Sequence, residues 1–209
     1  MNRIAAVTLL LMLPGLTIAD DPANQPETSK NIGYGAYQNS SGRVELIVGA
    51  QAAAISQHEQ YIPLQVALAV RGKGPELEVS MSRFALIDAS GNILDPATVE
   101  EMAKQAGLIQ YMTEYRKTSP LPLGNQFSGQ REIVSNFYPL DGGKFYVEEH
   151  LGHDAYLRDV IFFPTPEPGL AGVMTLQFLT PGMDEPVEVR FEAPVKQTEK
   201  AAKKKTKKD

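Results

Sequence analysis

Between Tyr61 and Val70 the chain reads YIPLQVALAV, with Ile62, Leu64, Val66, Leu68 and Val70 at every second position. A spacing of two puts these five side chains on one face of an extended strand, whereas a helix repeats its faces every 3.6 residues. Other runs alternate in the same way. RVELIVGA carries Val44, Leu46 and Val48, and ELEVSM carries Leu77, Val79 and Met81. EPVEVRFEAP sets Val187, Val189 and Phe191 inward against Glu188, Arg190 and Glu192. GVMTLQFL places Val173, Leu176 and Phe178 in apolar positions, with imperfect alternation around Met174. RFALIDASGNIL reads as a strand, a turn from Asp88 to Asn92 and a short return. REIVSNFYPL and KFYVEEH read as strands flanking Asp141-Gly142-Gly143, YLRDVIFFP as a further strand, and Pro181-Gly182 as the turn of the last hairpin. Pro63 lacks a donor N–H and belongs at a strand start, an edge or a bulge.

About nine short strands separated by turns predict an all-β fold of two antiparallel sheets packed face to face. One segment breaks the pattern. In DPATVEEMAKQAGLIQYMTEYRK, Val99, Met102, Ala106 and Ile109 recur at helical spacing, which predicts one helix over about residues 96–115, inserted at the rim. Asp95 can cap it with Pro96 in the first turn, and Thr98 with Glu101 offers a capping box instead. Gly107 weakens the middle, where the helix can break. TSPLPLGNQFSGQ reads as a loop able to cover one end of a sheet. YGAYQNSSG, rich in Gly, Asn and Ser, reads as loop.

The order of YIPLQVALAV, a turn, ELEVSMSRFALIDASGNIL, then YLRDVIFFPTPEPGLAGVMTLQF and PVEVRFEAP resembles that of immunoglobulin-like domains in exported bacterial proteins of unknown function. The resemblance spans residues 43–194 and rests on generic β-structural motifs. It implies an antiparallel immunoglobulin-like sandwich and a binding or assembly role in the envelope, and it carries no catalytic residues. The helix departs from the simplest version of that domain.

The expected organisation is a signal peptide over 1–19, a flexible lead over 20–42, a β-domain over 43–195 and a disordered Lys-rich tail over 196–209. MNR gives a positive start and Ile4–Leu13 an uninterrupted apolar run of ten residues. Thr17 and Ala19 occupy the small-residue positions of a cleavage site, so the expected product is periplasmic or secreted, cut after Ala19. The apolar run is too short to span a bilayer, which takes roughly 20 residues. The chain has 209 residues and no Cys, which excludes disulfides, thiolate metal sites and Cys nucleophiles. Residues 20–195 carry a net charge of −11 and the tail +5. An acidic body argues against specific nucleic-acid binding by the folded domain, and the tail has no aromatic residue to stack bases. Lys203, Lys204, Lys205, Lys207 and Lys208 are the candidate polyanion-binding residues. The expected partner is another envelope protein or an anionic envelope polymer.

The densest set of chemistry-bearing residues lies in VEEHLGHDAYLRD. Glu148, Glu149, His150, His153, Asp154 and Asp159 are all possible metal donors. The spacing is H-x-x-H around Gly152 between strand-like flanks, unlike the i, i+4 pair of a zincin helix. His58 is the sole further His. The weighed readings are a polar bend before a strand, which is favoured, and a metal-dependent or carboxylate-based hydrolase centred near His150 and His153. No G-x-S-x-G, S-x-x-K, G-x-G-x-x-G or P-loop occurs, and Trp, common in sugar-cleaving sites, is absent. No cofactor is therefore expected. The adjacent pairs Phe137-Tyr138, Phe145-Tyr146 and Phe162-Phe163 place one ring of each in the core. Tyr138 and Tyr146 are left either on an exposed binding face or, as favoured, under the helix or the 118–130 loop. The expected function is a non-enzymatic binding or assembly module, tethered to anionic envelope components by its tail.

Overall fold

The computed structural model describes residues 29–55, 60–119, 121–135, 137–139, 148–165 and 172–192. Among them the chain is mostly β. The strands are β1 (Lys30–Gly33), β2 (Ala36–Ser41), β3 (Val44–Gly49), β4 (Tyr61–Val70), β5 (Leu77–Val79), β6 (Phe84–Ile87), β7 (Ile93–Leu94), β8 (Arg131–Val134), β9 (Glu149–Leu151), β10 (Ala155–Pro164), β11 (Val173–Phe178) and β12 (Val187–Glu192). Three α-helices accompany them: α1 (Gln51–Ile55), α2 (Val99–Ala103) and α3 (Ala106–Thr118). A six-stranded sheet has the order β1-β2-β3-β4-β10-β8, a second sheet the order β12-β11-β6-β7, and β5 pairs with β9 in a short ribbon. The β5–β9 ribbon continues the β4–β10 pair beyond a break, since β5 follows β4 and β9 precedes β10.

All pairings are antiparallel except β8 with β10, which corrects the expectation of uniformly antiparallel sheets. Residues 30–41, expected in a flexible lead and read partly as loop, form β1 and β2. The apolar β3 supplies the reason, because it pairs along the whole of β2 from Ala36↔Gly49 to Ser41↔Val44.

One face of β4 (Ile62, Leu64, Val66, Leu68 and Val70) joins β3, β10 and the second sheet in the main core. The opposite face is not solvated. Ala67 and Ala69 pack with Ile47, Leu121 and Phe127 in a second cluster. The loop before β8 therefore covers a face of the sheet rather than an end. Helix α3 packs against β10 through Ile109 and Met112, so the helical insertion lies on the sheet and not at its rim. It is also two helices, not one over 96–115. The Thr98 hydroxyl accepts from the Glu101 N–H while the Glu101 carboxylate accepts from the Thr98 N–H, a complete capping box that starts α2 at Val99. The break falls at Lys104-Gln105, just before Gly107.

Pro63 sits within β4, in the middle of the large sheet, opposite Phe162. The Phe162 carbonyl accepts from the Ala97 N–H at 2.8 Å, on the edge of β10 away from β4. Opposed antiparallel residues point their backbone groups the same way relative to the pair, so Pro63 faces away from β10. On that side β3 has already ended, its last pair being Gly49↔Gln65, and no donor is required. Val173 is 48% exposed, against expectation, and Met174 takes the core position opposite Phe191. β12 lies over β2 and β3. Its outer edge is partly occupied: the Arg190 N–H donates to Ser29 Oγ at 2.7 Å, and the Asn39 amide donates to the Glu188 carbonyl at 2.6 Å.

Candidate functional site

The β1–β2 hairpin turns through Tyr34-Gly35, with φ of 51° and 67°. Positive φ at both central residues of a two-residue loop is the mark of a type I′ turn, which favours Asn-Gly. Tyr34 is the sole non-glycine residue with positive φ among those described, and it is 84% exposed. Gly33 on its N-terminal side also has positive φ (98°), so the ring is borne on a backbone bent for three residues running. The Ala50 N–H donates to the Gly35 carbonyl at 2.9 Å, which ties the hairpin tip to the start of α1.

This tip forms one wall of a cleft of about 260 Å³. Gln51 of α1, Gln65 of β4, and Tyr115 and Ser119 at the end of α3 supply its polar groups. Gly49, Ala52, Leu121 and Pro122 complete it. Gln65 interrupts an otherwise apolar strand and is buried; its amide donates to the Ser119 carbonyl at 3.2 Å. A Cβ on Gly49 would collide with the Leu121 side chain, so glycine there lets the loop after α3 close against β3. Burial raises the Tyr115 phenol above its ordinary value against a hydrogen bond with Ser119, and Tyr111 adds a smaller upward push. At neutral pH it is a neutral donor and acceptor.

No described residue lining the cleft carries a charge. The groups present can accept and donate hydrogen bonds and offer ring faces. They include no imidazole or carboxylate to serve as a general base. Two wider hollows differ in kind. One, of about 380 Å³, is lined by Arg43, Asp184 and Glu185, with the Arg43 guanidinium already donating to the Pro75 carbonyl. The other, of about 450 Å³, is bordered by Ser29 and Glu192, where the described chain ends.

The residues singled out in the sequence are scattered. His150 lies on β9 with its side chain exposed, its Nε2 3.1 Å from a Glu148 carboxylate oxygen. His153 is exposed in the Gly152–Asp154 turn before β10, and its carbonyl accepts from Gln130 at 2.9 Å. Asp159 is turned into the protein. It accepts from the Ser135 hydroxyl (2.6 Å), the N–H groups of Phe137 (3.1 Å) and Val160 (2.7 Å), and Arg116 (3.1 Å). Burial is the strongest influence on this carboxyl and holds it above 3.8, against those four donors. Among the described residues no group of three or more His, Asp or Glu could hold a metal ion. His58, Phe145, Tyr146 and the tail lysines Lys203, Lys204, Lys205, Lys207 and Lys208 lie outside the described residues. Tyr138 is not part of an exposed face. It is buried, edge-on to Phe162 at 5.0 Å, with its hydroxyl donating to the Ala97 carbonyl at 2.9 Å.

The cleft residues were not singled out from sequence. The available signals were a Tyr between two glycines in GYG and the lone Gln of YIPLQVALAV. Neither reveals that the hairpin tip, α1 and the end of α3 converge. Comparison of the chain with protein-family models, with curated proteins and with solved structures finds no match.

Proposed function

We propose that this chain is an exported, non-enzymatic binding or assembly module. An immunoglobulin-like sandwich is the scaffold, and the Lys-rich tail is a tether to anionic envelope components. Two sheets, antiparallel except at β8, that share one core support the sandwich reading. The signal-like start and the separation of a −11 body from a +5 tail support export and tethering. The observation that carries the binding reading is the Tyr34 cleft: a concave site with convergent neutral polar groups and an exposed ring in a costly backbone conformation.

The test is co-isolation with envelope components at low and high salt. It compares the mature chain, a form lacking residues 196–209, and Tyr34→Ala. A discrete component retained through high salt and tail removal but lost in Tyr34→Ala is the expected result. Retention that disappears with salt or with the tail assigns the activity to the lysines and reduces the β-domain to a spacer. Absence of any retained component overturns the reading.

A further inference from the structure

We infer that the Tyr34 cleft binds a neutral saccharide, taking one sugar ring and leaving the rest of the glycan in solvent. This rests on the binding-module reading and specifies its ligand.

The lining excludes other classes first. A charged ligand entering the cleft would lose water without gaining a counter-charge, and no described lining residue supplies one. A purely apolar ligand would take water from the exposed Gln51 amide and give no hydrogen bond in return, whereas Gln65 and Ser119 already hold partners within the protein. A sugar hydroxyl both donates and accepts, and so do a carboxamide, a phenol and an aliphatic hydroxyl. The match extends to shape. A pyranose has a polar rim and C–H faces, and a tyrosine ring is an apolar plate with a polar tip. Tyr34 holds such a plate in solvent at the mouth.

Size and rigidity point the same way. At about 260 Å³ the cleft is smaller than pockets that enclose drug-sized ligands, roughly 300–1,000 Å³, and suits a single ring. Gln65 is fixed on β4 and anchored to the Ser119 carbonyl, so its amide is already oriented. The hairpin tip is fixed by the Ala50–Gly35 hydrogen bond. Preorganisation of this sort limits the ordering entropy lost on binding, which matters for a weak, hydroxyl-rich ligand.

The experiment is an NMR titration of the mature protein. The ligands are neutral oligosaccharides of hexose and N-acetylhexosamine, an anionic oligosaccharide and a neutral tetrapeptide. The expected result is that a neutral saccharide shifts the side-chain amide signals of Gln51 and Gln65 and the backbone signal of Tyr34, with equal affinity at low and high salt. Tyr34→Asn removes the ring but keeps a residue suited to the turn, and should weaken binding about tenfold or more. Tyr34→Phe keeps the ring and should stay within a few-fold of wild type. Shifts caused only by the tetrapeptide overturn the saccharide assignment and leave the module reading standing. Failure of every neutral saccharide at millimolar concentration also overturns it, and the co-isolation result then decides the module reading separately. Binding of the anionic sugar alone, lost with salt and leaving the cleft signals unmoved, assigns recognition to the tail and counts against the cleft.

Discussion

Tyr34 holds a left-handed backbone conformation, which costs a residue with a side chain roughly 1–2 kcal/mol and costs Asn less. Stability alone does not account for a tyrosine at this position. Tyr34→Asn should therefore stabilise the fold by about 0.5–1 kcal/mol while removing the ring, read as a higher urea midpoint at unchanged slope. A lower midpoint would show that the ring contributes packing that its exposure does not suggest. Asp159 poses the opposite case. All four of its partners donate, two to each oxygen, so an Asn there would turn an NH₂ toward two of them and leave Arg116 without a countercharge. Asp159→Asn should cost about 3 kcal/mol at neutral pH. The folded carboxyl lies above 3.8 and so holds its proton more tightly than the unfolded one. Its contribution is full below 3.8 and is lost as pH rises through the folded value. The stability gap between wild type and Asp159→Asn should narrow across that window and stay level above it. A gap that widens with pH would contradict the burial account.

At the level of elements, strands with strict alternation were legible. β4 and β12 lie where the spacing of their apolar residues puts them, β10 covers the run read as a strand without alternation, and the Asp88–Asn92 turn forms with Asp88 accepting from the N–H groups of Ser90 and Asn92. β1 and β2 were not legible, because Gly33, Gly35, Asn39, Ser40 and Ser41 favour turns and only the edge of β3 makes strands of them. Val173 was misjudged for a similar reason. Whether it or Met174 faces the core is fixed by register against β12, which single-strand periodicity does not contain. The two capping options before α2 were equally readable, and the structure uses Thr98. Thr98→Ala removes the hydroxyl of the box and should cost about 1 kcal/mol, measured by thermal unfolding. An unchanged midpoint would mean that packing of Met102 alone fixes the start of α2.

At the scale of the whole molecule, the predominance of β-structure could be read and the site could not. Charge asymmetry and β-richness follow from local composition and spacing. The cleft joins residues from position 34 to position 122, and nothing local announces that meeting. The same holds for the outer edge of β10. β8 pairs along 155–158, the Asp159 carboxylate holds Ser135 and Phe137 just after β8, and Ala97 bonds to Phe162, so two segments distant in sequence close one strand. β12 received different treatment. An open strand edge is a template on which a second chain can extend the sheet, and a regular Val-x-Val-x-Phe strand is well suited to that use. Ser29 and Asn39 occupy its outward N–H at Arg190 and C=O at Glu188, so two of the groups a ladder would use there are already bonded. The contacts that dock the second sheet on the first thus also work against edge pairing, and a copy of the chain meeting β12 finds the Arg190 N–H and the Glu188 carbonyl already taken.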